Sequence, residues 1–167
     1  MIQLREDSRS KYLVYFDVDD TLTDYSQRLG RYEVEDRDTG EKRPMRSTDT
    51  VDNVDFWTDA KWLPGAKQLF EYARRHFEDV QILSAVPDPQ KYTAPIEGKR
   101  EWLNKNVGNI KAIWTRSGTA KAKYANPTTI LIDDKEENIR AFEKAGGIGI
   151  LATTPGKALL QLAKYVE

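Results

Sequence analysis

The chain has no cysteine, so disulfides, thiolate metal sites and cysteine nucleophiles are excluded, and a reducing compartment suits it. Histidine is nearly absent. The single His76 lies in a helical pattern from Gln68 to Phe77, where a cation near a helix C-terminus is its expected role, and chemistry that needs two histidines is out. Any metal must therefore be held by oxygen. No stretch approaches the ~20 apolar residues of a membrane span, and Met1-Ile2-Gln3-Leu4-Arg5-Glu6-Asp7 lacks the apolar run of a signal peptide. No membrane partner is expected, and the expected setting is the cytoplasm of a bacterial or phage-infected cell. No Gly-x-Ser-x-Gly elbow occurs, which disfavours a serine nucleophile. Net charge is also small, at -1. It is unevenly spread, however: Lys99 to Lys123 carries seven Lys or Arg against the single acid Glu101. Such a run reads as a solvated helix face, with a positive rim for a phosphorylated substrate as the sharper alternative.

What is present is a soluble-type composition, with 39% hydrophobic and 32% charged residues, four Trp and eight Tyr. The 167 residues suffice for one sizeable core, and a single domain over 1–167 is expected. Tyr12-Leu13-Val14-Tyr15-Phe16 is a continuous apolar, aromatic and β-branched run of the kind that forms a strand buried on both faces. Similar runs follow at Val80 to Leu83, Ile110 to Trp114, Thr129 to Ile132 and Ile148 to Leu151. Helical patterns lie between them: from Pro64-Gly65 to about Phe77, Pro95 to Asn106, Thr119 to Ala125, Lys135 to Ala145 and Pro155 to Tyr165. This alternation implies an α/β three-layer sandwich with a central parallel sheet, whose ligands bind at the carboxyl ends of the strands. Residues 22–60 break the pattern. They are polar, and Arg31 to Glu35 followed by Asp38-Thr39-Gly40 and Glu41-Lys42-Arg43 reads as a hairpin within a small cap inserted after the first strand. Tyr25, Tyr32, Phe56, Trp57 and Trp62 in and beside it either stack on a base or, the commoner use, pack the cap onto the body.

The first strand runs into Asp17-Val18-Asp19-Asp20-Thr21, three carboxylates in four residues. Like charges so close repel unless a cation neutralises them. Alone this is an acidic turn, but a second apolar run, Ile130 to Ile132, ends in Asp133-Asp134, with Asn138 four residues on. If the two strands are neighbours, the acids converge into a hard-oxygen site suited to Mg2+. Val80 to Leu83 ends in Ser84-Ala85-Val86-Pro87, which brings a hydroxyl and backbone amides to the same edge for holding phosphate. Moving a phosphoryl group onto a carboxylate also needs a fixed cation. Lys121 and Lys123 are the candidates. Lys121 is preferred because it lies a turn before Tyr124 and Ala125 on the buried side.

These segments resemble the four ordered motifs of the haloacid-dehalogenase superfamily, and the resemblance spans about Tyr12 to Leu151. Within it, Leu63-Pro64-Gly65-Ala66, Ser84 to Pro87, Lys99-Arg100-Glu101-Trp102-Leu103, Ile130 to Asp134 and Gly146 to Ile150 are similar to the 5'(3')-deoxyribonucleotidase branch and its phage and bacterial relatives. Asp20 stands where that branch often has glycine and Thr21 where it often has valine; Val86 is added before the proline, and the cap is unfamiliar. The resemblance implies a Mg2+-dependent phosphatase of Rossmann-like fold. Asp17 would attack phosphorus to form an aspartyl-phosphate, and Asp19 would act as acid and then base. It also implies that the metal is held by Asp17, the Asp19 backbone carbonyl and Asp134, with Asp133 acting through water and Asn138 behind the ligands. Ser84 and Lys121 or Lys123 would hold the phosphoryl oxygens, and Thr21, grouped with these phosphate-binding residues, would help anchor the turn. The implied substrate is a small phosphomonoester, a nucleoside or deoxynucleoside monophosphate. The rivals are a polynucleotide 3'-phosphatase, which the lack of a long basic stripe weighs against, and a non-catalytic nucleotide-binding module.

Overall fold

The computed structural model describes residues 9–166. The reading of Met1 to Asp7 as lacking a signal peptide lies outside them. Strand β1 (Ser10–Phe16) is followed by α1 (Tyr25–Arg31), the short strands β2 (Glu33–Glu35) and β3 (Lys42–Pro44), a 3-10 helix Ser47–Asp52 and α2 (Val54–Thr58). The chain continues through α3 (Ala66–His76), β4 (Phe77–Ala85), α4 (Ala94–Asn106), β5 (Ala112–Thr115) and a 3-10 helix Thr119–Tyr124. It closes with β6 (Thr129–Asp133), α5 (Glu136–Lys144), β7 (Ile148–Leu151), α6 (Pro155–Leu162) and a last 3-10 turn, Ala163–Tyr165.

Five strands form a parallel sheet in the order β5-β4-β1-β6-β7. The expected parallel α/β sandwich is therefore observed, with β1 central and β6 its direct neighbour. Alternate side chains of the inner strands serve opposite faces, as the pleat requires. Val14, Phe16, Ile82, Ile130 and Ile132 pack against Leu69, Phe70 and Ala73 of α3, Trp102 and Leu103 of α4, and Ala158 and Leu162 of α6. Tyr15, Leu83 and Leu131 pack on the other face against Ile139 and Phe142 of α5. Helix starts follow local chemistry. Thr154 accepts a hydrogen bond from the Lys157 N–H (3.2 Å) just before Pro155 opens α6, and Glu136 and Glu137 place negative charge in the first turn of α5. No helix among the described residues is long and apolar enough to cross a membrane.

Within residues 22–60 the expected hairpin is present, pairing Glu33 with Pro44 and Glu35 with Lys42 and turning through Gly40 at φ 70°. Helix α1 was not expected, because its polar sequence shows little apolar periodicity. It is held by tertiary contacts: the Arg28 Nε donates to Asp24 Oδ1 at 2.7 Å, its guanidinium reaches the Phe56 carbonyl, and its plane lies over the Phe56 ring. Met45, Phe56 and Trp57 form a separate small core with Tyr25, Leu29, Tyr32 and Val34 packed around it. The aromatics thus mostly pack on one another, with Tyr25 stacked on Trp57 at 5.6 Å and Trp62 against Trp102 at 4.8 Å. Where the chain enters and leaves this segment the two ends are tied: Asp24 N–H donates to the Lys61 carbonyl (3.1 Å) and Leu63 N–H to the Leu22 carbonyl (2.8 Å).

The α5 face of the sheet rests on a small cluster in which Phe142 is fully buried. Phe142→Ala is expected to lower stability by about 3–5 kcal/mol, with an unchanged urea m-value. A loss below about 1 kcal/mol in the urea titration would mean that this face is not packed as described.

Candidate active site

The acids meet at the carboxyl edge of β1 and β6. Phe16 pairs with Ile132, and the Asp17 N–H still donates to the Ile132 carbonyl at 3.0 Å, so Asp17 extends from the rigid end of the ladder. After it the chain winds tightly on one acceptor: the N–H groups of Thr21, Leu22 and Thr23 all reach the Val18 carbonyl. This turn puts Asp20 at φ 58°, the left-handed region that favours glycine but that aspartate tolerates better than most residues. Asp20 is used there as a cap, accepting from the Ser26 N–H at 2.9 Å and from its hydroxyl at the start of α1. This explains how Asp20 stands where the resembling branch often has glycine.

Ligand oxygens of Asp17, Asp133 and Asp134 lie within 4.8 Å of one another. Lys121, 1% exposed, donates from Nζ to Asp17 Oδ1 at 2.9 Å and to Asp133 Oδ2 at 2.7 Å. Burial favours its neutral amine, but the charges of Asp17 and Asp133 outweigh this and hold the ammonium above its usual range. Asp133, 0% exposed, is held on both oxygens: it also accepts from Asn138 Nδ2 (3.1 Å) and the Lys135 N–H (2.9 Å). Asn138 is in turn wedged against Gly118, where an added Cβ would come within 2.2 Å of its side-chain oxygen. Asp134 is only half-buried and is the least satisfied of the three. Its carboxyl is pushed up to about 8 by burial and then by the charge and hydrogen bonding of Asp17 and the charge of Asp133. The donor set therefore carries more negative charge than Lys121 neutralises, and it is made of hard oxygens. It fits a divalent cation of the Mg2+ type, with Asp17 and Asp134 less buried than Asp133.

Lys123 is exposed and does not reach the cluster, because the segment 119–124 is a 3-10 helix. With three residues per turn it aligns Lys121 with Tyr124 and turns Lys123 outward. Thr21, grouped with the phosphate-holding residues, is 1% exposed and committed to the acids. Its Oγ1 lies 3.2 Å from Asp17 Oδ2 and 3.1 Å from Asp134 Oδ1, and accepts from the Asp134 N–H at 3.1 Å. Ser84 is fully buried at the end of β4, and its hydroxyl accepts from Lys99 Nζ at 3.0 Å; its neighbours Ala85 and Val86 line the cleft instead. Asp19 also binds Lys99, through Oδ2 at 2.8 Å.

Lys99 is the site residue that sequence reasoning missed. It was noted only within a family-like segment and the basic run 99–123, yet it shares one buried helix face with Pro95 four residues before it and with Trp102 and Leu103 three and four residues after it. A lysine on an apolar stripe was the available signal.

Over the acids opens a cleft of about 680 Å3, within the range usual for small-molecule sites. Asp17, Asp19 and Lys121 form its deep part. Tyr25, Val51 and Trp57 from residues 22–60 line it together with Val86, Pro87 and Tyr92, and the exposed Arg116 and Lys135 belong to the same lining. His76 ends α3, its ring against Tyr72 at 4.4 Å, and takes no part in the cleft.

Among solved structures, a hydrolase from Pseudomonas syringae aligns with TM-score 0.51 at 15% identity, over 94% of this chain and 100% of that one. The chain shares that hydrolase's fold. A D,D-heptose 1,7-bisphosphate phosphatase from Burkholderia thailandensis aligns with TM-score 0.48 at 15% identity, over 91% and 85% of the two chains. No protein-family model and no curated protein matches the chain.

The raised Asp134 carboxyl has a measurable consequence. Its folded pKa, about 8, exceeds the ordinary 3.8, so the folded state binds the extra proton and stability is lost as pH rises between these values. In EDTA the melting temperature of the wild type is expected to fall relative to Asp134→Asn between pH 5 and pH 8, and added Mg2+ should remove the difference by raising the wild type. Parallel melting curves for the two proteins across that range would contradict the crowding of the acids.

Proposed function

We propose that this chain is a Mg2+-dependent phosphomonoesterase of the haloacid-dehalogenase type, acting through an aspartyl-phosphate on nucleoside or deoxynucleoside monophosphates. The observation that carries the reading is Lys121 clamped between Asp17 and Asp133 at two adjacent strand ends, on the floor of a ligand-sized cleft. A buried ammonium between carboxylates is expensive to assemble, and it gives what phosphoryl transfer to an anion requires: a fixed positive charge beside the attacking oxygen.

In this mechanism a carboxylate oxygen of Asp17 attacks phosphorus. The bond to the leaving oxygen breaks, and that oxygen takes the proton of the Asp19 carboxyl. Water then attacks the phosphorus of the acyl phosphate, Asp19 receives the water proton, and the Asp17 carboxylate departs with its electron pair. Lys121 orients Asp17 and faces the phosphoryl oxygens. Asp17, the backbone carbonyl of Asp19 and Asp134 would hold Mg2+, with Asp133 acting through water and Asn138 steadying Asp133. The ion, when bound, offsets the converging negative charge and polarises the phosphoryl group.

We read the chain as one domain in which residues 22–60 form the cap that chooses the substrate. Support comes from the segment's own aromatic core and from the apolar wall of Tyr25, Val51, Val86, Pro87 and Tyr92, which suits the flat, partly apolar body of a nucleoside. Only Arg116 and Lys135 add exposed positive charge to the cleft lining, too little to track a polynucleotide backbone. A binding module without chemistry would have no use for an acid such as Asp19 beside the attacking carboxylate.

A phosphate-release screen with Mg2+ or EDTA tests the reading, over nucleoside 5'- and 3'-monophosphates, sugar phosphates and 3'-phosphorylated oligonucleotides. Nucleoside monophosphates are expected to lead, with no release in EDTA. Asp17→Asn should cost on the order of 10^4-fold or more and Lys121→Met about 10^2 to 10^3-fold, while Lys123→Ala should stay within about twofold. Release that survives Asp17→Asn would overturn the mechanism. Preference for the oligonucleotides would overturn the substrate.

A further inference from the structure

Among the described residues two lysines are buried, and they stand on opposite faces of the sheet. Lys121 comes from the α5 side and lines the cleft. Lys99, 2% exposed, comes from α4 on the other side and is not part of the cleft lining. Its three donors are all engaged: Asp19 Oδ2 at 2.8 Å, Ser84 Oγ at 3.0 Å and the Ala85 carbonyl at 3.3 Å. The ammonium also lies 4.8 Å from the centre of the Trp57 ring. A lysine so committed has no N–H left for a phosphoryl oxygen. What it does instead is hold one oxygen of Asp19, leaving Oδ1 buried and without a partner among the described residues.

The same helix is seated by the insertion. Gly98 lets α2 approach so closely that a Cβ there would lie 2.3 Å from the Trp57 Cβ and 2.9 Å from the Val54 carbonyl oxygen. The position of α4, and hence of Lys99, is therefore set partly by residues 54–57.

We propose that Lys99 is a positioning residue for Asp19, fixing its carboxyl at the cleft for proton exchange with the leaving oxygen, and that docking of α2 on Gly98 keeps this arrangement in register. The inference rests on the phosphatase reading and adds a link between the inserted segment and proton transfer. A lysine that held phosphate would support all substrates equally. A lysine that orients the acid matters only where the leaving group needs a proton.

The test compares kcat/KM, which reports the first transfer step, for p-nitrophenyl phosphate and a nucleoside 5'-monophosphate. The nitrophenolate departs unaided; the alkoxide does not. In Lys99→Met the nucleotide is expected to lose about 100-fold or more and the aryl ester less than about threefold. In an Asp19→Asn background the same substitution should change that ratio no further. Equal losses on both esters, or no loss on either, would overturn the proposal while leaving the phosphatase reading intact. If the wild type turns over neither ester, the phosphatase reading itself fails. Should Lys99→Met not fold by circular dichroism, Gly98→Ala is read by the same ratio: a selective loss on the nucleotide is expected, and an unchanged ratio overturns the proposal.

Discussion

The contact between Lys121 Nζ and the carboxylates of Asp17 and Asp133 is the constraint on which the rest of this molecule is arranged. Removing either side would leave an uncompensated buried charge, which costs about 3–5 kcal/mol in comparable pairs. The contact can exist only if β1 and β6 are neighbours, if both strands end in register, and if segment 119–124 turns its first lysine inward. The parallel order β5-β4-β1-β6-β7 meets the first two conditions. The tight 3-10 winding meets the third.

Around this pair the charges are divided by the sheet. Lys121 serves Asp17 from the α5 face, while Lys99 serves Asp19 from the α4 face. Two carboxylates two residues apart thus have separate partners, and each is held without competing for the other's cation. Asp134 is left with the weakest compensation, which is where a divalent ion adds most. Because each partner lies on a different helix layer, the site cannot assemble before both faces of the sheet are covered.

Much of this was legible from the amino-acid order. Short apolar runs that stop abruptly at Asp17 and Asp133 mark strands buried on both faces, and two such endings point to one edge. The preference for Lys121 over Lys123 followed from the buried side of Tyr124, and the hairpin of residues 33–44 from its turn residues. Other features were hidden for physical reasons. Helix α1 has little periodicity of its own and is held by the buried Arg28, which pairs with Asp24 nearby and with Phe56 far along the chain. The partners of the Thr21 and Ser84 hydroxyls, both expected beside phosphate, were not legible, because a short polar side chain bonds whatever the fold brings nearest. Here that is Asp134 and Lys99. Lys99 itself was masked by the basic run around it, although its spacing to Trp102 and Leu103 put it on the buried stripe.

The central claim is that Asp17 is the carboxylate that takes the phosphoryl group, and the most direct measurement identifies the residue modified in the act. The protein would be mixed with a turned-over monoester and Mg2+, quenched in acid within the first turnover, reduced with borohydride and analysed by peptide mass spectrometry. An acyl phosphate is reduced to the alcohol, so the account expects homoserine at position 17, absent without substrate. Conversion at any other carboxylate, or none while phosphate is being released, would contradict it.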